Sequence, residues 1–240
     1  MISKLFKKIQ ESCETFYPDE KNLQLNNAHT LGQSFEQKIE DTIEDLGYAK
    51  WYSKNLDENR FKSIKVETLA KKNTDFIDIK KNENLKYIRQ PFGSQEYPDF
   101  LIFTERKIIP IEIKYSKTTS PMWNSNLPKA NGFYIFGSHE SKDITFFCGK
   151  NVLSELKRTK MIDFFEEMKQ YERKFNKDLK EIRDPHNRGF NVYIRRAYEQ
   201  KSETKDNNSN AKNYFMHKER KETEKQAIKL IEELEKKHKI

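Results

Sequence analysis

The apolar positions of residues 30–47 repeat with the period of an α-helix. They are spaced four, four, four and three residues apart and comprise Leu31, Phe35, Ile39, Ile43 and Leu46. Side chains at these spacings share one face of a helix. Thr30 is a suitable N-cap and Gly47 a suitable C-terminal stop. The pattern therefore predicts an amphipathic helix over residues 30–47.

Residues 98–115 show the pattern of a β-hairpin. Two runs rich in β-branched and aromatic residues, 100–103 and 108–115, are separated by the polar stretch 104–107. Runs of this kind on either side of a polar turn predict two antiparallel strands. Pro110 has no amide hydrogen for the ladder, so a bulge or a strand edge at this position would shift the register.

Three charged side chains interrupt the apolar pattern of this hairpin. In a symmetric register about the turn, the numbers of paired residues sum to 211, and Asp99 then lies opposite Glu112. Because side chains alternate along a strand, Lys114 shares a face with Glu112. Directly opposed carboxylates repel each other, and burying them is costly unless they are paired or hold a metal ion. The pattern indicates a divalent-cation site, and the alternative is a hairpin with ordinary solvated charges.

The other patterns predict further strands and helices in an α/β fold. A short helix is expected within residues 1–29, short strands within 48–96 (such as 75–79), and strands over 132–137, 143–148 and 190–196. A long helix starts at Asn151, and its apolar positions are Met161, Phe164, Phe165, Met168, Tyr171 and Phe175. We expect a central mixed sheet that carries the hairpin and is flanked by the 30–47 and 151–180 helices.

The C-terminal part of the chain is more polar. Residues 201–213 have the composition of a flexible loop. Residues 214–240 predict a charged helical extension with a narrow apolar seam formed by Ala227, Leu230, Ile231 and Leu234. This seam is expected to pack either on the main domain, residues 1–200, or on a second subunit.

The composition favours a polyanionic partner and gives no sign of a membrane protein. The formal net charge is +8, from 46 basic and 38 acidic residues. The two cysteines, Cys13 and Cys148, lack the spacing of a zinc site or a disulfide framework. No apolar run approaches the length of a membrane span, and the N-terminus lacks the apolar core of a signal peptide. We therefore expect a cytoplasmic protein.

The motif Pro98-Asp99 followed by Glu112-Ile113-Lys114 resembles that of the PD-(D/E)xK nuclease superfamily, and within it the type II restriction endonucleases. The resemblance covers roughly residues 30–140. It implies a restriction-endonuclease-like core, Mg²⁺ as cofactor, double-stranded DNA as substrate and a homodimer. It further implies that Asp99, Glu112 and the Ile113 carbonyl bind the metal ion and that Lys114 assists catalysis.

In the resembled family a helix glutamate often joins the metal site. Glu36 is the candidate, because it borders the apolar stripe of the 30–47 helix and can reach toward a sheet packed on that stripe. Glu40 is the fallback and is expected to lie further toward solvent. The alternative is that both acids belong to the solvated flank of the helix.

Polar and basic residues near the motif are candidate DNA contacts. They are Ser94, Gln95, Lys117, Trp123, Asn124, Ser125, Asn126, Arg188, Arg195 and Arg196. Such side chains bind phosphates or base edges, although Trp123 could instead pack on the core. Two alternative functions remain at this point. One is a repair, junction-resolving or transposon-associated nuclease of the same fold, and the other is a non-catalytic DNA-binding protein.

Overall fold

The predicted hairpin lies at the centre of a seven-stranded mixed sheet. The computed structural model describes residues 1–17, 28–123, 126–200, 213–216 and 218–235. The strands are β1 (Ala49–Trp51), β2 (Ile77–Asp78), β3 (Lys86–Arg89), β4 (Phe100–Phe103), β5 (Lys107–Ser116), β6 (Phe133–Ser138) and β7 (Asp143–Cys148). Their order is β1-β3-β4-β5-β6-β7, and β2 pairs with β5 outside this path. The sheet is mixed, because β1–β3 and β5–β6 are parallel pairs and the other pairs are antiparallel.

The register expected for the hairpin is confirmed. Phe103 pairs with Ile108 and Phe100 with Ile111, so the residue numbers sum to 211 along the whole ladder. Pro110 pairs with Leu101 without a shift. On its other edge β5 pairs with β2 up to Ile108 and with β6 from Ile111 onward. Pro110 therefore lies where β5 changes partners, and a missing amide hydrogen is tolerated there.

The described helices are α1 (Ser3–Glu11), α2 (Ala28–Asp45), α3 (Glu58–Leu69), α4 (Glu155–Leu179) and α5 (Arg220–Glu235). The predicted helix over 30–47 is confirmed as α2, with bounds two residues earlier. One face of the sheet is covered by α1, α2 and α5, which bury their apolar stripes in the main core. The C-terminal seam thus packs on the body of the same chain, through the buried Ala227, Ile231 and Leu234.

The second face of the sheet carries two smaller apolar clusters. One contains Ile64 of α3 together with Leu101, Phe103 and Ile108. The sequence pattern predicts no helix at α3. The other contains Tyr97, Trp123, Tyr134, Phe136 and Phe147. Glu112 and Lys114 belong to this second face, because Ile111 and Ile113 point into the main core.

Two predicted elements differ from the structure. The 151–180 helix exists as α4 but does not cover the sheet, because only Arg158 and Ile162 of it are buried. The strand expected over 190–196 is absent, and residues 188–200 run irregularly along α4. Their backbone amides donate hydrogen bonds to side chains of that helix instead of pairing with a strand. The Val192 amide donates to Asn176 Oδ1 over 2.7 Å, and the Ile194 amide donates to Glu172 Oε2 over 2.8 Å.

The predicted flexible loop, 201–213, lies outside the described residues except for its last position. Within the described ranges, no helix is both long enough and apolar enough to cross a membrane.

A candidate metal centre at the end of the hairpin

Asp99 is fixed beside β5 by a backbone hydrogen bond. It directly precedes β4, and its Oδ2 accepts a hydrogen bond of 2.6 Å from the amide of Ile113. Its own carbonyl accepts a bond of 2.7 Å from the Gln90 amide. Amide and carbonyl of one strand residue point to the same edge, so the Ile113 carbonyl also projects toward Asp99. A carboxylate and a backbone carbonyl oxygen thus meet at this edge.

Glu112 and Lys114 lie on one face of β5, as predicted. Their side chains form an ion pair with 2.7 Å between Lys114 Nζ and Glu112 Oε1. The Glu112 side chain is 13% exposed and that of Lys114 is 28% exposed. The parallel neighbour β6 places Tyr134 and Phe136 beside them. This partly apolar wall reduces the access of water and strengthens electrostatic interactions at the two charges.

The two carboxylates interact unfavourably. Burial is the main cause that raises the pKa of Asp99, from 3.8 to about 8, and the negative charge of Glu112 is the next. The Ile113 amide and Lys114 oppose this rise, and Glu36 adds to it. Burial and the Glu112 charge also raise the pKa of Tyr97. The proximity of the two acids therefore favours the uptake of a proton or of a cation at the end of the hairpin.

The structure places Glu36 close to this centre but in an ion pair. Arg89 Nε donates to Glu36 Oε1 over 2.8 Å, and Gln90 Nε2 approaches the same oxygen at 3.5 Å. Glu36 still contributes to the electrostatic field at Asp99. Its carboxylate is held by Arg89 and Gln90 rather than by a contact with the two hairpin acids.

The expectation that Glu40 lies toward solvent is wrong. Glu40 is 1% exposed. Its carboxylate accepts hydrogen bonds from Lys50 over 2.6 Å, from the Tyr87 hydroxyl over 2.8 Å and from Arg89 over 2.5 Å. These partners lower the pKa of Glu40 against the effect of burial. Glu40 is therefore a structural acid between α2 and the sheet, and it is no longer a candidate ligand.

Sequence reasoning missed two residues near the centre. Arg89 follows the apolar part of β3 and bridges Glu36 and Glu40. Tyr97 is 5% exposed, and its hydroxyl has no hydrogen-bond partner among the described residues. The available signals were an arginine after the short apolar pair Tyr87-Ile88 and a tyrosine directly before the Pro-Asp pair.

The donor set at the hairpin end fits Mg²⁺. This ion is usually held through one or two carboxylates and keeps several waters, and Asp99, Glu112 and the Ile113 carbonyl supply such oxygens. No group of three or more His, Cys, Asp or Glu side chains in the described part of the chain has a metal-holding arrangement. The described residues therefore bring two carboxylates together at the hairpin end, without a third acid, histidine or cysteine that would complete a cage.

Three of the candidate DNA contacts are exposed next to this centre. Ser94 and Gln95 lie in the loop between β3 and β4, a few residues before Asp99. Lys117 follows the last residue of β5. Because β4 and β5 are antiparallel, the residues before β4 and after β5 lie at the same end of the sheet as Asp99.

The loop after Lys117 is a weaker candidate than its composition indicates. Trp123 is buried, its ring packs 5.3 Å from that of Tyr134, and its indole nitrogen donates to Gln200 over 3.2 Å. The interpretation of Trp123 as a DNA contact is therefore corrected to that of a core residue. Asn126 is exposed, whereas Asn124 and Ser125 lie outside the described residues.

The three candidate arginines lie along α4. Arg196 pairs with Glu166 at 3.7 Å, and Arg195 is exposed on the same segment. Arg188 lies near the C-terminal end of α4. This end is roughly 30 Å along the helix from the buried Arg158 at its base, at 1.5 Å per residue. Arg188 is therefore remote from the base of α4 and is a weak candidate for contacting DNA bound at the hairpin.

Comparisons with known proteins add no further information about the site. The sequence matches no protein-family model and no curated protein, and the fold matches no solved structure.

Proposed function

We propose that this protein is a Mg²⁺-dependent endonuclease of the type II restriction class, with a restriction-endonuclease-like fold, that hydrolyses phosphodiester bonds of double-stranded DNA. The observation that supports this best is the bond between Asp99 and the Ile113 amide. It holds one carboxylate at the strand that carries Glu112 and Lys114. An acid with a raised pKa beside a second acid and a lysine is an arrangement typical of functional sites.

Each residue of the centre has a separate role in this proposal. Asp99, Glu112 and the Ile113 carbonyl hold Mg²⁺, and the bound ion supplies positive charge for the phosphate. Lys114 has three donors on a flexible stem. It orients the attacking water or neutralises the phosphate once a cation takes over its interaction with Glu112.

Glu36 and Arg89 form the adjoining part of the proposed site. Arg89 holds Glu36 at 2.8 Å and Glu40 at 2.5 Å, so the guanidinium lies between two acids. An arginine that faces a phosphate prefers bidentate contact with it. In the proposed complex, DNA draws Arg89 toward the backbone and frees Glu36 to face the metal ion.

Double-stranded DNA is the proposed substrate because of the charge of the chain and its exposed loops. The net charge of +8 favours a polyanion. We expect the exposed Ser94, Gln95 and Lys117 to contact phosphates near the two acids. The resemblance to restriction enzymes further suggests a homodimer, whose two-fold symmetry would match a palindromic site.

The test is cleavage of supercoiled plasmid and genomic DNA by the purified full-length protein with and without Mg²⁺. Asp99→Ala and Lys114→Ala are expected to reduce the rate by roughly a hundredfold or more. The matched controls are Asp45→Ala and Lys81→Ala, which change exposed residues of the same types. Full activity of either site variant would overturn the assignment of the site.

Sequencing the ends of the cleaved DNA distinguishes the classes of nuclease. Ends that fall at one short sequence support the restriction class. Ends that follow DNA structure identify a junction or repair enzyme on the same site. Binding without cleavage in every condition would favour the non-catalytic alternative.

A further inference from the structure

The helix α4 projects an apolar stripe that nothing in the described structure covers. Phe164, Tyr171 and Phe175 are 55%, 67% and 51% exposed, although they are large and apolar. Together with Met168 they lie within about 60° of one another around the helix axis, at 100° per residue. Their spacing of four, three and four residues is that of a coiled-coil seam. We call these four residues the α4 seam.

The segment after α4 widens the seam. Residues 188–200 run back along one flank of the helix, and Val192 and Ile194 join Tyr171 and Phe175 around one shallow groove. The exposed aromatic side chains of the seam are Phe164, Tyr171 and Phe175. With 150–250 Å² for a whole aromatic side chain, their exposed fractions amount to roughly 350 Å². This is a little under half of the roughly 800 Å² that each partner buries in a standard protein interface, and Val192 and Ile194 add to it.

We infer that the α4 seam pairs with the α4 seam of a second copy of this chain, antiparallel about a two-fold axis. The axis falls between residues 169 and 170. Paired residue numbers then sum to 339, so Phe164 lies opposite Phe175 of the second copy. Met168 lies opposite Tyr171 of the second copy. Each large side chain of the seam thus meets an apolar partner.

Charges on the open flank of the seam fit the same register. Lys160, Glu167 and Lys174 lie on the side of α4 that faces away from residues 188–200, and all three are exposed. In the antiparallel pair, Glu167 faces Lys174 of the second copy. Lys160 faces the exposed Glu181 beyond the helix end. Both pairs therefore join opposite charges, as the flanking positions of paired helices do.

The charge of α4 argues against nucleic acid as the occupant. The helix carries seven basic and six acidic residues. A surface that follows a nucleic-acid backbone is usually strongly basic. The mixed signs instead suit a self-complementary interface, in which the same patch serves both partners. This inference is independent of the proposed nuclease chemistry, because no residue of the hairpin centre takes part.

The test is sedimentation equilibrium of the full-length protein with charge reversals on the open flank. The wild type is expected to show twice the monomer mass of 28.9 kDa. Glu167→Lys or Lys174→Glu alone places like charges opposite each other at two symmetric positions, and we expect at least a tenfold weaker association. The double variant Glu167→Lys/Lys174→Glu restores opposite charges and is expected to regain the wild-type association constant.

Controls separate this result from misfolding. Arg173→Glu reverses an exposed charge on the opposite face of α4 and is expected to leave association unchanged. Unchanged circular dichroism and thermal midpoints establish that each variant is folded. A wild type that is monomeric at tens of micromolar overturns the inference. A double variant that associates no more tightly than the two single variants also overturns it. Loss of DNA binding in Phe164→Glu with a monomeric wild type would show that the seam binds DNA instead. DNA cleavage by such a monomer would leave the proposed nuclease activity standing without the homodimer.

Discussion

Replacing Asp99 by asparagine is expected to stabilise the metal-free protein and to abolish the proposed nuclease activity. At pH 7 an unfolded aspartate is ionised, whereas burial and Glu112 raise the pKa of Asp99 in the folded protein from 3.8 to about 8. The folded state therefore binds a proton that the unfolded state has released. Roughly three pH units separate pH 7 from the pKa of the unfolded aspartate, and each unit corresponds to about 1.4 kcal/mol. The variant should gain on the order of 2–4 kcal/mol, because the asparagine carbonyl still accepts the bond from Ile113.

The stability difference between Asp99→Asn and the wild type is expected to depend on pH. The folded pKa lies above the unfolded one, so the contribution of Asp99 to stability is fully present below about 3.8 and is lost as the pH rises to about 8. The advantage of Asp99→Asn should thus be small near pH 4.5 and grow toward pH 8. Urea unfolding in EDTA at several pH values measures the difference in the free energy of unfolding between the variant and the wild type. Asp45→Asn is the control for an exposed aspartate.

Mg²⁺ should stabilise the wild type and leave Asp99→Asn nearly unaffected, because a ligand of the folded state shifts the unfolding equilibrium by mass action. A variant that is no more stable than the wild type at pH 7 in EDTA would refute the reasoning about the two carboxylates. Equal stabilisation of both proteins by Mg²⁺ would refute the assignment of Asp99 as a ligand.

Three further changes test other parts of the structure. Glu83→Gln should destabilise the fold by about 3 kcal/mol in urea unfolding, because it leaves the buried Arg60 guanidinium without its charge partner. The pKa of Glu83 is lowered in the folded protein, so the stability from this pair should be present above about pH 4.5 and decline as the pH falls further. Lys129, whose pKa burial lowers to about 8, should make the protein more stable as the pH rises from 8 to 10.5, and Lys129→Met should remove that dependence. Trp123→Phe should cost about 1 kcal/mol through the lost bond to Gln200 and leave the affinity for DNA unchanged in a fluorescence-anisotropy titration.

The hairpin could be predicted from the sequence because its determinants are local. A four-residue polar turn sets the register, and alternation then fixes which side chains share a face. Pro110 is the residue of the hairpin that could shift this register, because it has no amide hydrogen. The structure accommodates it at the gap between β2 and β6 on one edge of β5, and only the order of strands in the sheet reveals that gap.

Glu40 and α3 could not be predicted because their determinants are distant in the chain. Glu40 is buried by bonds to Lys50, Tyr87 and Arg89, and the last two lie more than 40 residues away. The buried positions of α3 include Arg60 and Thr68, so its inner face does not show an apolar stripe. Arg60 is tolerated there because Glu83 neutralises it, which a pattern of apolar residues cannot reveal.

Glu40, Glu83 and Asp99 differ in how their charge is compensated, and that difference distinguishes Asp99 as the candidate site residue. Glu40 and Glu83 each bond a basic side chain within 2.8 Å, and their pKa values are lowered despite burial. Asp99 bonds a backbone amide, faces a second carboxylate and has a raised pKa. An acid kept in such a position destabilises the metal-free fold. A bound cation at the hairpin end would reverse this penalty, and for this reason Asp99, rather than Glu40, marks the candidate site.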